Sequence, residues 1–318
     1  MSLVSVVIPT YNGGEHLLES VKSALQQTYA PLEIIVVDDG SQEDILGILS
    51  PVSSRVRYIR QENAGPAAAR NRGIYSAQGE FIAFLDDDDL WNPRKIEAQM
   101  RTMSENPDCG LVYSHPDIID DNGVVIYNQR PKSCPSGYVY YDFLRKNRIS
   151  TPSVTLIRSS VFRRSGVFDE KKECISCEDY DLWLRIAQYF TICFCGEAIA
   201  YYRQSASGVS RNNYNHLSAN LYVMHKMLTE YISSEMHREK IFGDAIGEHV
   251  YNIYRKFAYR LYYENNDRAS ARILLATALR RNPTNFHDII FLLVCSMPRS
   301  LFLYTRNIKR RLLDLKPD

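Results

Sequence analysis

Three short apolar runs mark the first third of the chain. Val4 to Ile8, Glu33 to Val37 and Phe81 to Leu85 are rich in β-branched and aromatic residues and have the length of buried strands. Between the first two, Leu17, Leu18, Val21, Ala24 and Leu25 recur at helical spacing, so Glu15 to Gln27 reads as a helix. Strand, helix, strand predicts a right-handed crossover and a mainly parallel sheet flanked by helices. From about Asn212 the strand signals stop. Helical patterns run through Leu217 to Lys240 and Ala245 to Tyr263, and Ala258 to Pro283 reads as one tetratricopeptide-like hairpin turning at Asn265-Asn266-Asp267 and packing on the first domain. The pattern thus predicts an α/β domain over residues 1–210 and a helical C-terminal region over 211–318.

Open sheets of this kind bind ligands beyond the carboxyl ends of their strands. That rule singles out Pro9-Thr10-Tyr11-Asn12, Asp38-Asp39-Gly40-Ser41 and the run Asp86 to Asp89. Carboxylates in the last loop suit a hard divalent cation such as Mg²⁺ or Mn²⁺ bridged to substrate phosphates. If strand geometry persists, Asp86 and Asp88 point one way and Asp87 and Asp89 the other; Asp89 reads as the cap of a helix entering at Leu90. Asp38 and Asp39 offer acceptors to a ribose or a base N–H, although Asp-Asp-Gly-Ser is also an ordinary turn. Asn63-Ala64-Gly65 opens a helix of small residues, with Arg70 placed to meet a phosphate. Glu178 and Asp179 begin another helix, where the dipole favours an ionised carboxylate of the kind a general base needs. Ser176 with Asp179 also fits a capping box, which would make Asp179 only a cap.

Composition adds limits. The chain has 318 residues and 45% hydrophobic content, enough for a large core and more than one domain. It carries no basic leader and no apolar run near the ~20 residues that span a bilayer, so a cytoplasmic or membrane-peripheral protein is expected. Seven cysteines, an odd number, read as reduced thiols, and Cys174-x-x-Cys177 lacks the second ligand pair of a zinc site. The net charge of +1 conceals an asymmetry: residues 1–210 hold 21 basic and 27 acidic side chains (net −6), residues 211–318 hold 17 and 10 (net +7). In the tail, Ile289 to Val294 and Leu301 to Leu303 stand beside Arg299, Arg306, Lys309, Arg310 and Arg311, a composition that suits an anionic membrane surface or else a last helix packed on the first domain. No nucleic-acid partner is expected, and the pattern carries no signal for oligomeric state.

Taken together, Pro9-Thr10-Tyr11-Asn12, Asp38-Asp39-Gly40-Ser41, Asn63-Ala64-Gly65 with Arg70-Asn71, Asp86 to Asp88 and Glu178-Asp179 closely resemble the inverting family 2 glycosyltransferases of GT-A fold, over roughly residues 3 to 205. The resemblance implies a Rossmann-like mixed sheet and a nucleotide-sugar donor, most often a UDP-sugar. It implies that Tyr11 stacks on the base and Asp39 hydrogen-bonds it. Asp86 to Asp88 would form the DxD motif, with Asp88 the direct ligand of Mn²⁺ or Mg²⁺ and Asp86 and Asp87 near the ribose and the metal's waters; Asp86 counts with Asp88 in the metal set. Asp179 would be the catalytic base. The acceptor would be a glycan or a lipid-linked sugar, as in cell-surface polysaccharide synthesis.

Two departures qualify the resemblance. Many relatives carry a histidine where Tyr202-Arg203-Gln204-Ser205 has Ser205, which leaves Arg203 as a phosphate contact and removes a third protein ligand for the metal. The Gln-x-x-Arg-Trp motif and the membrane helices of processive synthases are missing, so one addition per encounter is expected. The competing readings are nucleotidyl transfer or phosphoryl hydrolysis, which lack support from a Gly-rich, basic first loop, and a non-catalytic binding module, which the intact carboxylate set Asp39, Asp86, Asp88 and Asp179 disfavours.

Overall fold

The apolar runs fold into one sheet. The computed structural model describes residues 1–128, 134–197, 200–204, 213–233 and 240–296, in two compact units, Met1–Val209 and Ser210–Asp318. The first unit runs β1 (Val4–Thr10), α1 (Gly14–Leu25), β2 (Leu32–Asp38), α2 (Ile45–Leu49), β3 (Arg57–Arg60), α3 (Pro66–Ser76), β4 (Phe81–Phe84), β5 (Leu90–Trp91), α4 (Lys95–Glu105), β6 (Cys109–Tyr113), β7 (Pro116–Ile119) and β8 (Val125–Tyr127). It continues with α5 (Tyr140–Arg145), β9 (Thr155–Arg158), α6 (Phe162–Ser165), α7 (Glu178–Tyr189), β10 (Thr191–Phe194) and β11 (Ala200–Arg203).

Seven strands lie in the order β10-β6-β9-β4-β1-β2-β3. β1 is flanked by β2 and β4 in parallel register, as the crossover pattern predicts. β9 is antiparallel to both β4 and β6, which makes the sheet mixed. β1 is buried at every position; its central place and continuous apolar run have the same cause, since helices cover both faces. α1 packs Leu17, Val21 and Ala24 inward, each 0% exposed, and a fully buried Leu or Val contributes roughly 1.5–3 kcal/mol. Gly73 of α3 lies so close to β1 that a Cβ there would stand 2.2 Å from Val7 Cγ1, so the helix approaches the sheet as only glycine allows.

A second sheet, β5-β11-β7-β8, carries the other wall of the site. Leu90 and Trp91 form a strand paired with Tyr201 and Ala200, and the next helix, α4, starts only at Lys95. The expected helix at Leu90 is therefore absent, and Asp89 is not its cap.

The second unit contains α8 (Asn213–Ser233), α9 (Lys240–Tyr263), α10 (Arg268–Leu279) and α11 (Phe286–Ser296). The α9–α10 turn falls at the expected place, with Asn266 at φ 58° and Asp267 capping α10 through Ser270 N. The hairpin does not stand alone: Phe291 and Cys295 of α11 bury themselves with Leu261, Tyr262 and Leu275. The basic residues from Arg299 to Arg311 lie outside the described residues. Among the described residues no helix is long and apolar enough to cross a membrane.

Candidate active site

The aspartate run does not continue β4. Asp89 N donates to Asp86 O at 3.1 Å, closing a tight turn, so the carboxylates fan out and the alternation expected of a strand is lost. Asp86 accepts from Arg70 Nη2 at 2.8 Å and from Thr151 Oγ1 at 3.0 Å. Asp87 accepts from Thr10 Oγ1 at 2.6 Å; burial, then the charges of Asp88 and Asp86, push its carboxyl up to about 7 against that bond. Asp89 is fully enclosed and accepts from the Arg203 backbone N at 3.0 Å and from Thr151 Oγ1 at 3.3 Å. It pins β11 to the turn, which is its task in place of the cap.

Asp88 differs from its neighbours. Among the described residues no other side chain donates a hydrogen bond to its carboxylate, while burial, then the Asp86 charge, raises it to about 6. A hard oxygen donor that no other side chain holds, beside other carboxylates, suits a divalent cation. Elsewhere Asp169, Cys174 and Asp181 bring ligand atoms within 4.8 Å of one another; the aspartate turn does not gather three.

The second and first loops close this edge of the sheet. Asp38 is 0% exposed and accepts from Ser41 N, Tyr58 Oη and Arg60 Nη1 at 2.6–2.8 Å. Burial works against its charge, but these bonds outweigh it and lower its pKa. Asp38 thus holds the loop from inside, its carboxylate enclosed and engaged by these three bonds, which corrects its expected place on the ribose or base. Asp39 accepts from Ala64 N at 2.9 Å, Gly65 N at 2.8 Å and Gln61 Nε2 at 2.8 Å, clamping the turn that enters α3 at Gly65, φ 93°. Pro9 and Thr10 are buried, Asn12 braces the loop through Ser41 Oγ and Gln42 N, and Tyr11, 50% exposed, and Asn63 stand free at the rim.

Arg70 joins two distant parts of the chain. Its Nη1 donates to Glu178 Oε1 at 2.9 Å while Nη2 holds Asp86. Burial opposes its charge, yet Asp86 and Glu178 outweigh it and raise its pKa above the ordinary range. Arg70 therefore meets carboxylates rather than an open phosphate position. Glu178 Oε2 accepts from Ser176 N at 2.8 Å. Ser176 sits at φ 80° and the N-cap of α7 is Cys177, so the Ser176–Asp179 capping box does not form. Asp179 accepts only from Tyr180 N among the bonds described, stays partly exposed, and is raised to about 7 by burial and then by Glu178.

Arg203 is 2% exposed; its Nε donates to Asp88 O at 2.8 Å, Nη1 to Asp121 O at 2.6 Å and Nη2 to Glu19 at 2.7 Å. Its donors are spent on the fold, so it braces the aspartate turn instead of reaching a phosphate. Two residues missed by sequence reasoning belong to this scaffold. Ser20 Oγ donates to the carbonyls of Asp87 and Asp89, and Thr151 links Asp86 to Asp89. Ser20 had a signal, a polar residue on the inward stripe of α1; Thr151 had none.

Residues 5–170 match the family model described as Glycosyl transferase family 2. The chain belongs to that family. Within it, the chain is 35% identical over 219 residues to WfgD of Escherichia coli, a UDP-Glc:α-D-GlcNAc-diphosphoundecaprenol β-1,3-glucosyltransferase, covering 68% of this chain and 82% of that protein. It is 32% identical to a glycosyltransferase of Rickettsia bellii over 60% of its own length but spans only 28% of that relative, and it spans 62% of a Rickettsia typhi one. The crystal structure of Staphylococcus aureus TarS 1–349 in complex with UDP superposes with a TM-score of 0.63 at 19% identity, covering 88% of this chain and 81% of that one. The family 2 chain therefore has the GT-A fold.

Proposed function

We propose that this family 2 member moves one sugar from a UDP-sugar to a hydroxyl of a lipid-linked acceptor, with inversion at the anomeric carbon and with the help of Mn²⁺ or Mg²⁺. The observation that carries the reading is Arg70, whose two ion pairs tie the aspartate turn to the start of α7 and so hold Asp179 beside the donor loop. The 35% identity to a UDP-glucose-dependent enzyme with a diphosphoundecaprenol acceptor supports the choice of donor and acceptor class.

Tyr11, exposed at the end of β1, stacks on the base, and Asp39, whose oxygens retain lone pairs, accepts from a base N–H. Asp88, with Asp86 beside it, would hold the metal, which when bound stabilises charge on the departing diphosphate. Asp179 takes the proton of the acceptor hydroxyl as that oxygen forms its bond to the anomeric carbon. The bond from that carbon to the diphosphate oxygen breaks on the opposite face, and UDP leaves with the electron pair. No enzyme nucleophile is needed. A lipid-linked acceptor places the reaction on the inner face of the cell membrane, with a cytoplasmic, peripheral enzyme; the basic tail supports this by its sequence alone.

Incubation with a panel of nucleotide sugars, Mn²⁺ and a prenyl-diphosphate sugar tests the reading. Release of UDP, stopped by EDTA, is the expected product; pyrophosphate or inorganic phosphate would instead mark nucleotidyl transfer or hydrolysis.

A further inference from the structure

Arg148 is a cation without a counter-charge. It is half-buried, its Nε is enclosed with no acceptor, and among the described residues no carboxylate or carbonyl takes a bond from its guanidinium. An arginine held this way gives up water without the pairing that usually compensates it. His115 repeats the pattern. Its Nε2 lies 3.1 Å from Cys134 Sγ, and burial, outweighing Tyr113 and Arg148, raises the Cys134 pKa and keeps it a thiol. The S–H then serves Nε2, the ring proton falls on Nδ1, and Nδ1 is enclosed without an acceptor. Burial, then the charges of Arg148 and Lys146, lowers the His115 pKa, so the ring is neutral near neutrality. Arg148 bears on Tyr113, His115 and Cys134 alike, which gathers the four into one cluster; the acid Asp142 bears on Tyr113 and on neither of the other two.

Sheet register sets this cluster beside the aspartate turn. Leu156 of β9 pairs with Ala83 of β4 on one side and with Val112 of β6 on the other. Asp86 and His115 each follow three positions beyond that line, after strands that run the same way. Two strand spacings are ~10 Å, about the reach of one sugar ring with a phosphate on its anomeric oxygen. The cluster also lies on the α7 side of the sheet. Tyr113 packs edge-on against Phe143, ring centroids 5.7 Å apart, and Phe143 O accepts at 2.8 Å from the hydroxyl of Tyr180, the residue after Asp179. Thr151, whose hydroxyl donates to Asp86 at 3.0 Å, follows Arg148 by three positions.

We propose that Arg148, with His115 and Lys146, forms an anion subsite that holds the diphosphate of a lipid-linked acceptor while a hydroxyl of its sugar reaches Asp179. A diphosphate offers several oxygens to an arginine fork and a neighbouring N–H, and so meets both of the donors that the fold leaves unanswered. The diphosphate of the nucleotide donor is a poorer occupant, because the cation position at Asp88 follows β4, on the other side of β9. That the bound diphosphate carries the acceptor sugar rests on the function proposed above; the anion subsite stands on the cluster itself.

The probe is octyl diphosphate, titrated into the full chain saturated with UDP and Mg²⁺, with octyl glucoside as the uncharged control. The parent is expected to bind the diphosphate and not the glucoside. Arg148→Met is expected to weaken that binding on the order of tenfold or more, Arg148→Lys to recover part and His115→Gln to weaken it less, with UDP affinity kept. The melting temperature of Arg148→Met should match the parent's, since removing an unpaired cation strands no partner. Equal affinity in parent and variants overturns the inference. So does binding of octyl diphosphate that saturating UDP abolishes, or a melting temperature that falls in Arg148→Met, which would make the arginine a contact of the fold. Transfer to octyl N-acetylglucosaminyl diphosphate separates the subsite from the function proposed above. A KM that rises in Arg148→Met more than kcat falls supports both, whereas Arg148-dependent binding without any sugar transfer removes the lipid-linked acceptor and leaves the subsite standing.

Discussion

Arg70 sits between Asp86 and Glu178 with its guanidinium almost sealed from water, 7% exposed. Two carboxylates 92 positions apart in sequence thus share one cation, and removing it leaves them facing each other with little solvent. Arg70→Met is expected to destabilise the chain by about 3–5 kcal/mol, the usual cost of breaking a buried pair, and Arg70→Lys to recover part, since one ammonium cannot span both. Denaturant unfolding of the three proteins checks this; equal midpoints would contradict it. Asp179 has its own signature at this scale. Its pKa of about 7 leaves it protonated in acid and unable to accept a proton. kcat is therefore expected to rise with pH through about 7 and level off above it, and Asp179→Glu to shift that limb. A flat profile from about pH 5.5 to 8 would remove Asp179 as the titrating base.

At the scale of elements, the site depends on how closely α3 and the aspartate turn approach β1. Gly73→Ala puts a methyl 2.2 Å from Val7 Cγ1; overpacking of this kind costs about 1–3 kcal/mol, and thermal unfolding should register it with UDP affinity weakened as α3 shifts. An unchanged melting temperature would mean that the helix yields freely. The strands that begin each loop were legible, because β1, β2 and β4 are continuous apolar runs and the crossover fixes their order. Asp89 was not, because Leu90 and Trp91 become a strand only by pairing with Ala200 and Tyr201, more than a hundred residues on. The same limit hid the work of Arg203 and Asp38. Both look like ligand contacts in sequence, and only the partners Glu19, Asp121, Tyr58 and Arg60 reveal that their polar atoms are consumed by the fold. The strand β9 escaped notice for a different reason: it has four residues and runs against its neighbours.

For the whole molecule, crowding of acid groups couples stability to pH and metal. Asp87 and Asp179 near 7 and Asp88 near 6 lie above the ordinary 3.8, so the fold holds their protons more tightly than the unfolded chain does. Their contribution is present in full below about pH 3.8 and is lost as pH rises through 6 to 7. Metal-free protein is expected to melt at a lower temperature at about pH 8 than at about pH 5.5, and Mn²⁺ to restore the difference at the higher pH. Melting temperatures indifferent to both would contradict the placement of a cation at Asp88. The helical unit was legible as helices but not as a three-helix core, since α11 reads from sequence as an apolar tail until Phe291 and Cys295 meet Leu261 and Leu275. The central claim is that Asp179 does the proton transfer while the aspartate turn holds the donor. Its most direct test is Asp179→Asn assayed for UDP affinity and for transfer. UDP binding within about twofold of the parent, with turnover reduced on the order of a hundredfold or more, is the expected result; turnover at the parent rate would contradict it.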